Sequence, residues 1–210
     1  MPRPRYENLD ADKKQKLLDA ATKEFAAHPY ELASINTILE DAGQSKGSFY
    51  YYFDDKADLA TEVFRVQVTT HLESLGELQH VNTVEEFWTE LRRLSFVRLR
   101  VIEQNRRDYD AMIRIATAMQ RDPQLATRIA PMFEESRKMM AGFFERGVVL
   151  GALRNDIPIG TLMALIENAK ATAAPSFFPP NSVPTDAQLE VFTDLVLDLA
   201  KRIAEPKKER

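Results

Sequence analysis

The chain has 210 residues, 29% of them charged, a formal net charge of −4, three His and no Cys. Without Cys it holds no disulfide framework, thiolate nucleophile or Cys-based zinc site, and His28, His71 and His80 show no metal-ligand spacing, so no metal or cofactor is expected. The longest apolar runs fall short of the ~18 residues of a membrane span and no leader-like segment opens the chain, so a cytoplasmic protein with no membrane partner is expected. Abundant Ala, Leu, Met, Glu, Lys and Arg, with few alternating stretches, predict an all-α fold.

Residues 1–8, with Pro2 and Pro4, read as a flexible arm. Its Arg3 and Arg5 are either solvated or within reach of a minor groove. A first helix is expected over residues 12–27, with Leu17, Leu18, Ala21 and Phe25 at three-four spacing and Pro29 as its stop. Ser34 caps a second helix carrying Ile35, Ile38, Leu39 and Ala42. Gly43 then stands where a left-handed helix stop wants Gly, and Ser45 is the N-cap of a third helix, which makes a tight helix-turn-helix. In the third helix Phe49 and Phe53 lie four apart and face inward, while Lys46, Gly47, Tyr50 and Tyr51 fall on the opposite side. Phe25, Ile38, Phe49 and Phe53 are the expected centre of one small core.

After Asp54-Asp55 a longer helix runs to about residue 78, with Leu59, Val63 and Phe64 inward. Thr83 and Glu86 form a capping box opening a helix that is apolar on several faces (Phe87, Trp88, Leu91, Leu94, Phe96, Leu99, Ile102), as suits the inside of a bundle. Helical segments follow at 108–119 and 123–150, with Pro131 as a break or kink and Gly151 as the end. Helices over 158–174 and 185–204, separated by a Pro-rich loop at 175–184, are followed by a tail at 206–210. The last helix repeats Leu189, Phe192, Val196 and Leu199 at three-four spacing and adds Val191 and Leu195. Its predecessor offers Leu162, Leu165, Ile166, Ala169 and Ala173. One stripe suffices for packing within the chain, so the surplus predicts a homodimer interface drawn from Leu162, Ile166, Ala169, Ala173, Leu189, Phe192, Val196 and Leu199.

Charge by itself argues against nucleic acid. Residues 1–60 hold eight Lys/Arg against eleven Asp/Glu, so the usual basic footprint is missing. Local placement argues the other way: between Ala42 and Phe53 the one charge is Lys46, which leaves an acid-free polar surface.

The run Ser34-Ile35-Asn36-Thr37-Ile38-Leu39-Glu40-Asp41-Ala42-Gly43-Gln44-Ser45-Lys46-Gly47-Ser48-Phe49-Tyr50-Tyr51-Tyr52-Phe53-Asp54-Asp55-Lys56-Ala57-Asp58-Leu59 resembles the signature of the tetracycline-repressor (TetR-like) family. That pattern has Ala-Gly-Val-Ser-Lys-Gly-Thr-Leu-Tyr, two variable residues, Phe and, three on, Lys with Asp-Leu behind it. The likeness covers roughly residues 10–60. Gln44 departs from it in place of an apolar turn residue, Leu39 in place of Ala, Pro29 in place of Gly and Asn36 in place of Arg. The resemblance implies a DNA-binding domain at 9–60, a regulatory, ligand-binding and dimerisation domain at 61–205, and a transcriptional regulator, usually a repressor, bound to a palindromic operator. Carried over, Lys46, Gly47, Ser48, Tyr50, Tyr51 and Tyr52 would line the major groove, Lys56 would hold a phosphate, Ser34 and Thr37 would add backbone contacts, and Ser45 counts among the DNA-binding residues.

For an effector site the pattern is thinner. Trp88, Met112, Met119, Met140, Phe143 and Phe144 are of the kind that line adaptable cavities, with Asn105, Tyr109 and Asn168 to orient an apolar or amphipathic ligand; all of them also read as core or helix-end residues. The Arg-rich stretch from Arg92 to Arg107 reads most simply as solvated surface. An alternative is a DNA-binding dimer governed by a protein partner, or by no ligand. An enzyme is not expected: no nucleophile stands with a base, and Ser45-Lys46-Gly47-Ser48 lacks phosphate-loop spacing.

Overall fold

The computed structural model describes residues 2–76, 78–178 and 183–206. The expected tail at 207–210 and residues 179–182 of the Pro-rich loop lie outside the described residues. Among those described there are nine α-helices and one 3₁₀ helix, with no strand. In order these are the 3₁₀ helix Pro4–Asn8, α1 Ala11–Ala27, α2 Ile35–Asp41, α3 Lys46–Tyr52, α4 Lys56–Leu75, α5 Val84–Gln104, α6 Arg106–Ala118, α7 Pro123–Val149, α8 Ile159–Phe177 and α9 Asp186–Ala204.

Two compact units form, one from Met1–Leu72 with Asn105–Glu135, the other from Glu73–Gln104 with Ser136–Arg210. In the first, α1 packs on α2 and α6. Phe25, Ile38, Phe49 and Phe53 are all fully buried, as their spacing predicts, and their core runs on through Leu59 and Phe64 of α4, Ala111 and Ile115 of α6, and Leu125 and Ile129 of α7. This core therefore does not close at residue 60.

The expected flexible arm is instead folded. Pro4 sits at the start of the 3₁₀ helix, where its missing N–H costs nothing, and Tyr6 is fully buried. Its ring lies 4.9 Å from Phe53, and the Arg3 N–H donates to the Tyr52 carbonyl at 2.8 Å. The burial that anchors this segment raises the Tyr6 phenol well above its ordinary range.

In the second unit α9 packs on both α5 and α8. Leu189, Phe192 and Val196 are buried with Leu99, and Phe96, Ala173, Phe177 and Phe178 pack around them. Leu162 is fully buried, Ile166 is buried, and Ala169, Ala173 and Leu199 are half-buried. Leu189, Phe192 and Val196, expected to meet a second subunit, therefore fill the chain's own core, because α9 needs its most apolar side to hold two helices. Left outward are Leu165 and Val191, 42% and 60% exposed. Phe177 and Phe178 also draw α8 through Pro175, in place of the expected loop there: their rings lie 5.2 and 4.9 Å from Phe192. Near the C-terminal end of α8 a Pro removes little of the helix ladder. Pro131 likewise stands inside α7 without interrupting it.

The α5 arginines are partnered as well as solvated. Arg92 bridges Glu190 at 2.5 Å and Asp194 at 2.7 Å, both on α9, and Arg98 donates to Glu167 of α8 at 2.8 Å.

Candidate nucleic-acid interface

The turn between α2 and α3 is built from local hydrogen bonds. Gly43 takes φ 63°, and its N–H donates to the Glu40 carbonyl while the Gln44 N–H reaches the Leu39 carbonyl at 2.8 Å. That double closure is the Schellman stop, which needs a residue tolerant of positive φ. The Gln44 side chain donates to the Lys13 carbonyl at 3.1 Å, so the polar residue in this turn pins α3's approach to α1. Ser45 Oγ then accepts from the Ser48 N–H at 3.1 Å, and Ser48 Oγ donates to the Ser45 carbonyl at 2.8 Å. Ser34 caps α2 in the same way, accepting from the Thr37 N–H at 3.3 Å, while its own N–H donates to the nearly buried Glu24 carboxylate.

On α3 Phe49 is fully buried, with Phe53 just beyond, and Lys46, Gly47, Tyr50 and Tyr51 are exposed together. Tyr50 and Tyr51 expose about half of their surface, 53% and 48%. A Cβ at Gly47 would meet nothing nearer than Ser45 Oγ at 3.8 Å, so the fold does not demand glycine there. Ser48 and Tyr52 are half-buried. Tyr52 packs on the core and lies edge-on to Tyr6, so of the expected contact set it is the most structural.

Lys56 corrects the expectation. Its ammonium donates to the carbonyls of Tyr30 at 2.7 Å, Glu31 at 3.1 Å and Ala33 at 3.1 Å, and stands 4.7 Å from the Tyr30 ring centre. All three N–H donors are engaged, and burial lowers its pKa. Lys56 thus ties the loop before α2 to the start of α4, and a phosphate would have to compete with three carbonyls. Beside it Asp55 caps α4 by accepting from the Asp58 N–H at 2.8 Å, and buried Asp58 accepts from the Asp54 N–H at 2.9 Å. Arg128, from the first part of α7, forks onto Asp55 at 2.7 and 3.1 Å and reaches Asp58 at 3.2 Å. Nothing in the local sequence announced Arg128 as a partner, because it lies more than seventy positions away.

The residues proposed for an effector divide between the two units. In the first, Met112 and Met119 pack against the core, Tyr109 is half-buried and Asn105 is exposed. In the second, Trp88, Phe143 and Phe144 are buried in an aromatic cluster with Phe87, whose ring stacks on Phe143 at 4.7 Å; Met140 is half-buried and Asn168 exposed. Packing there is close, since a Cβ on Gly147 would stand 2.5 Å from Phe87. Among the described residues the buried Trp88 Nε1–H has no hydrogen-bond partner.

A capped helix-turn-helix whose second helix exposes Lys, Gly and two Tyr on one side defines a DNA-binding regulator. Residues 17–63 match the family model of bacterial regulatory proteins, tetR family. Those residues are a DNA-binding domain of that family's type, and the chain is a DNA-binding transcriptional regulator. It is 25% identical over 158 residues to the transcriptional repressor AcnR of Corynebacterium diphtheriae, covering 74% of this chain and 75% of that one. To the repressor KstR2 of Rhodococcus jostii it is 23% identical over 197 residues, covering 89% and 90%. Among solved structures, a TetR family regulator from Chloroflexus aurantiacus superimposes with a TM-score of 0.70 at 24% identity, over 99% of this chain and all of that one. Bacillus subtilis FadR in complex with stearoyl-CoA gives 0.66 at 17% identity, over 89% and 96%. Among the described residues no helix is long and apolar enough to cross a membrane.

Proposed function

We propose that the protein is a cytoplasmic, homodimeric repressor that binds a palindromic operator and is released by a small-molecule effector. The reading head would be residues 9–60 and the regulatory part 61–205. The observation that carries the DNA contacts is the exposed set Lys46, Gly47, Tyr50 and Tyr51 on a helix whose opposite side is buried. Lys46 in the first turn reaches a guanine edge or a phosphate, Gly47 admits close approach, and the tyrosines offer hydroxyls to phosphate and rings to thymine methyls. Two such helices would enter successive major grooves about 34–36 Å apart, or a multiple of that. Ser34, Thr37, Ser45 and Ser48 hold the two helices through their caps, and we assign them backbone contacts only.

Repression is supported by the relatives AcnR and KstR2, both named as repressors. An apolar or amphipathic effector is supported by the aromatic cluster around Trp88, whose buried donor has no partner among the described residues, and by the stearoyl-CoA in complex with FadR. Such a ligand acts only through preference for one state: a shift from 1:99 to 99:1 needs roughly 10⁴-fold differential affinity. The DNA reading is tested by titrating the protein against duplex DNA from upstream of its own gene at fixed salt. Lys46→Ala with Tyr51→Ala is expected to weaken binding by at least about tenfold, and unchanged affinity would remove these contacts.

A further inference from the structure

The N-terminal 3₁₀ helix lies outside the matched domain, which begins at residue 17, yet it is joined to the reading helix at three places. The Arg3 N–H donates to the Tyr52 carbonyl at the end of α3 (2.8 Å). The buried Tyr6 ring packs on Phe53 and Tyr52, 4.9 and 6.4 Å away. The Arg5 guanidinium carbon stands 4.7 Å from the centre of the Tyr51 ring, within cation–π range.

The cations of this segment differ in what they have left to offer. Arg3 is neutralised by Asp54. Lys14 is held between Glu7 at 3.5 Å and the Tyr6 ring at 4.3 Å. Arg5 is exposed, and among the described residues no carboxylate pairs with it. Its partner, the Tyr51 ring, sits on the exposed side of α3, so the Arg5 guanidinium is carried on the same surface as Tyr51. A cation–π contact occupies no N–H donor in a hydrogen bond to a carboxylate, which leaves the guanidinium fork that matches a phosphate available.

We propose that Arg5, seated on Tyr51 by the folded N-terminal segment, is a DNA-phosphate contact, and that the 3₁₀ helix is part of the DNA-binding surface. This rests on the reading of α3 as the DNA-reading helix. A unit in which acids outnumber bases over residues 1–60 has no general positive field to draw on, so a pre-positioned Arg at the flank of the groove carries a large share of the attraction. A fixed guanidinium also loses less freedom on binding than a mobile arm. Because phosphate is the target, the contact strengthens binding to every sequence alike.

The test compares the full-length protein, Arg5→Ala and Arg5→Lys. Each is titrated from about 50 to 200 mM salt against DNA from upstream of its own gene and against an unrelated duplex of equal length. One lost phosphate contact lowers the slope of log K against log salt by about 0.9, which corresponds to roughly eightfold at 0.1 M salt. Arg5→Ala is expected to show that loss on both duplexes, with an unchanged melting curve, and Arg5→Lys to keep the wild-type slope. An unchanged slope for Arg5→Ala overturns the proposal, and so does a loss confined to the upstream duplex, which would mark a base contact. Failure of the wild-type protein to bind either duplex would instead overturn the DNA reading of α3.

Discussion

Lys46 and Lys56 are ten positions apart in the same motif and do opposite work. Lys46 is exposed at the first turn of α3, whereas Lys56 gives its ammonium protons to Tyr30, Glu31 and Ala33 carbonyls. Hydrogen bonds from a charged donor contribute more than neutral ones, and leaving the part-buried Tyr30 and Ala33 carbonyls without a partner adds a desolvation cost. Lys56→Met is therefore expected to destabilise the protein by about 1–3 kcal/mol. Urea unfolding measures this. Salt titration of DNA binding supplies the contrast: the slope should stay at the wild-type value, and a fall of about 0.9 would restore Lys56 to a phosphate. The sequence shows both residues as Lys in a recognisable pattern; which of them finds carbonyls depends on where the loop at 30–33 returns, and that is a non-local matter.

At the scale of elements, the start of α4 is where the first unit is cross-linked. Asp55 caps the helix and also receives the Arg128 fork from α7. The hydrogen bonds from Arg128 hold the Asp55 carboxyl below its ordinary pKa, with further help from the α4 backbone N–H groups. The sign follows from the direction of that shift. The native state binds the proton less readily than the unfolded chain, so the pair's contribution is complete above the ordinary carboxylate pKa of about 3.9. It is lost as pH falls through the lower native value. Arg128→Leu is expected to cost about 1–3 kcal/mol at pH 7, between the exposed and buried limits for ion pairs. The stability difference from wild type should narrow below about pH 4. Denaturant melts across that range check it, and a difference independent of pH would deny the ion pair its role.

Element ends were the most legible feature. Ser34 and Ser45 cap α2 and α3 as expected, Thr185 caps α9, and Gly43 and Gly151 take positive φ. Caps are local chemistry, complete within three or four residues. Thr83 is a partial case: its hydroxyl accepts the Glu86 N–H at 3.1 Å, but Glu86 reaches back to the Asn82 N–H. The Pro-containing segments read poorly. Pro4 and Pro175 lie inside helical turns because distant aromatic contacts, Tyr6 on Phe53 and Phe177 on Phe192, reward the ordering.

For the whole molecule, the interface question turns on which side of α8 and α9 is left over. Phe192 is fully buried within the chain, so a charge there would unfold the second unit rather than separate subunits. The proposed dimer is tested at Leu165 and Val191, which are outward and apolar. Leu165→Glu with Val191→Glu is expected to give a folded monomer by sedimentation, with DNA affinity reduced because each half-site is then bound alone. A wild-type sedimentation coefficient would place the interface elsewhere.

The sequence by itself determined the all-α class, the helix-turn-helix and the division of α3 into buried Phe49 and exposed Lys46, Gly47, Tyr50 and Tyr51. Those properties follow from periodicity and capping, both short-range. The tertiary structure alone decided that the first eight residues fold onto α3, that Lys56 holds a loop, that Arg128 clamps the α4 cap and that the α9 seam faces its own chain. Each of these depends on which distant segment arrives beside a given side chain, and an apolar stripe looks the same whether a neighbouring helix or a second subunit covers it.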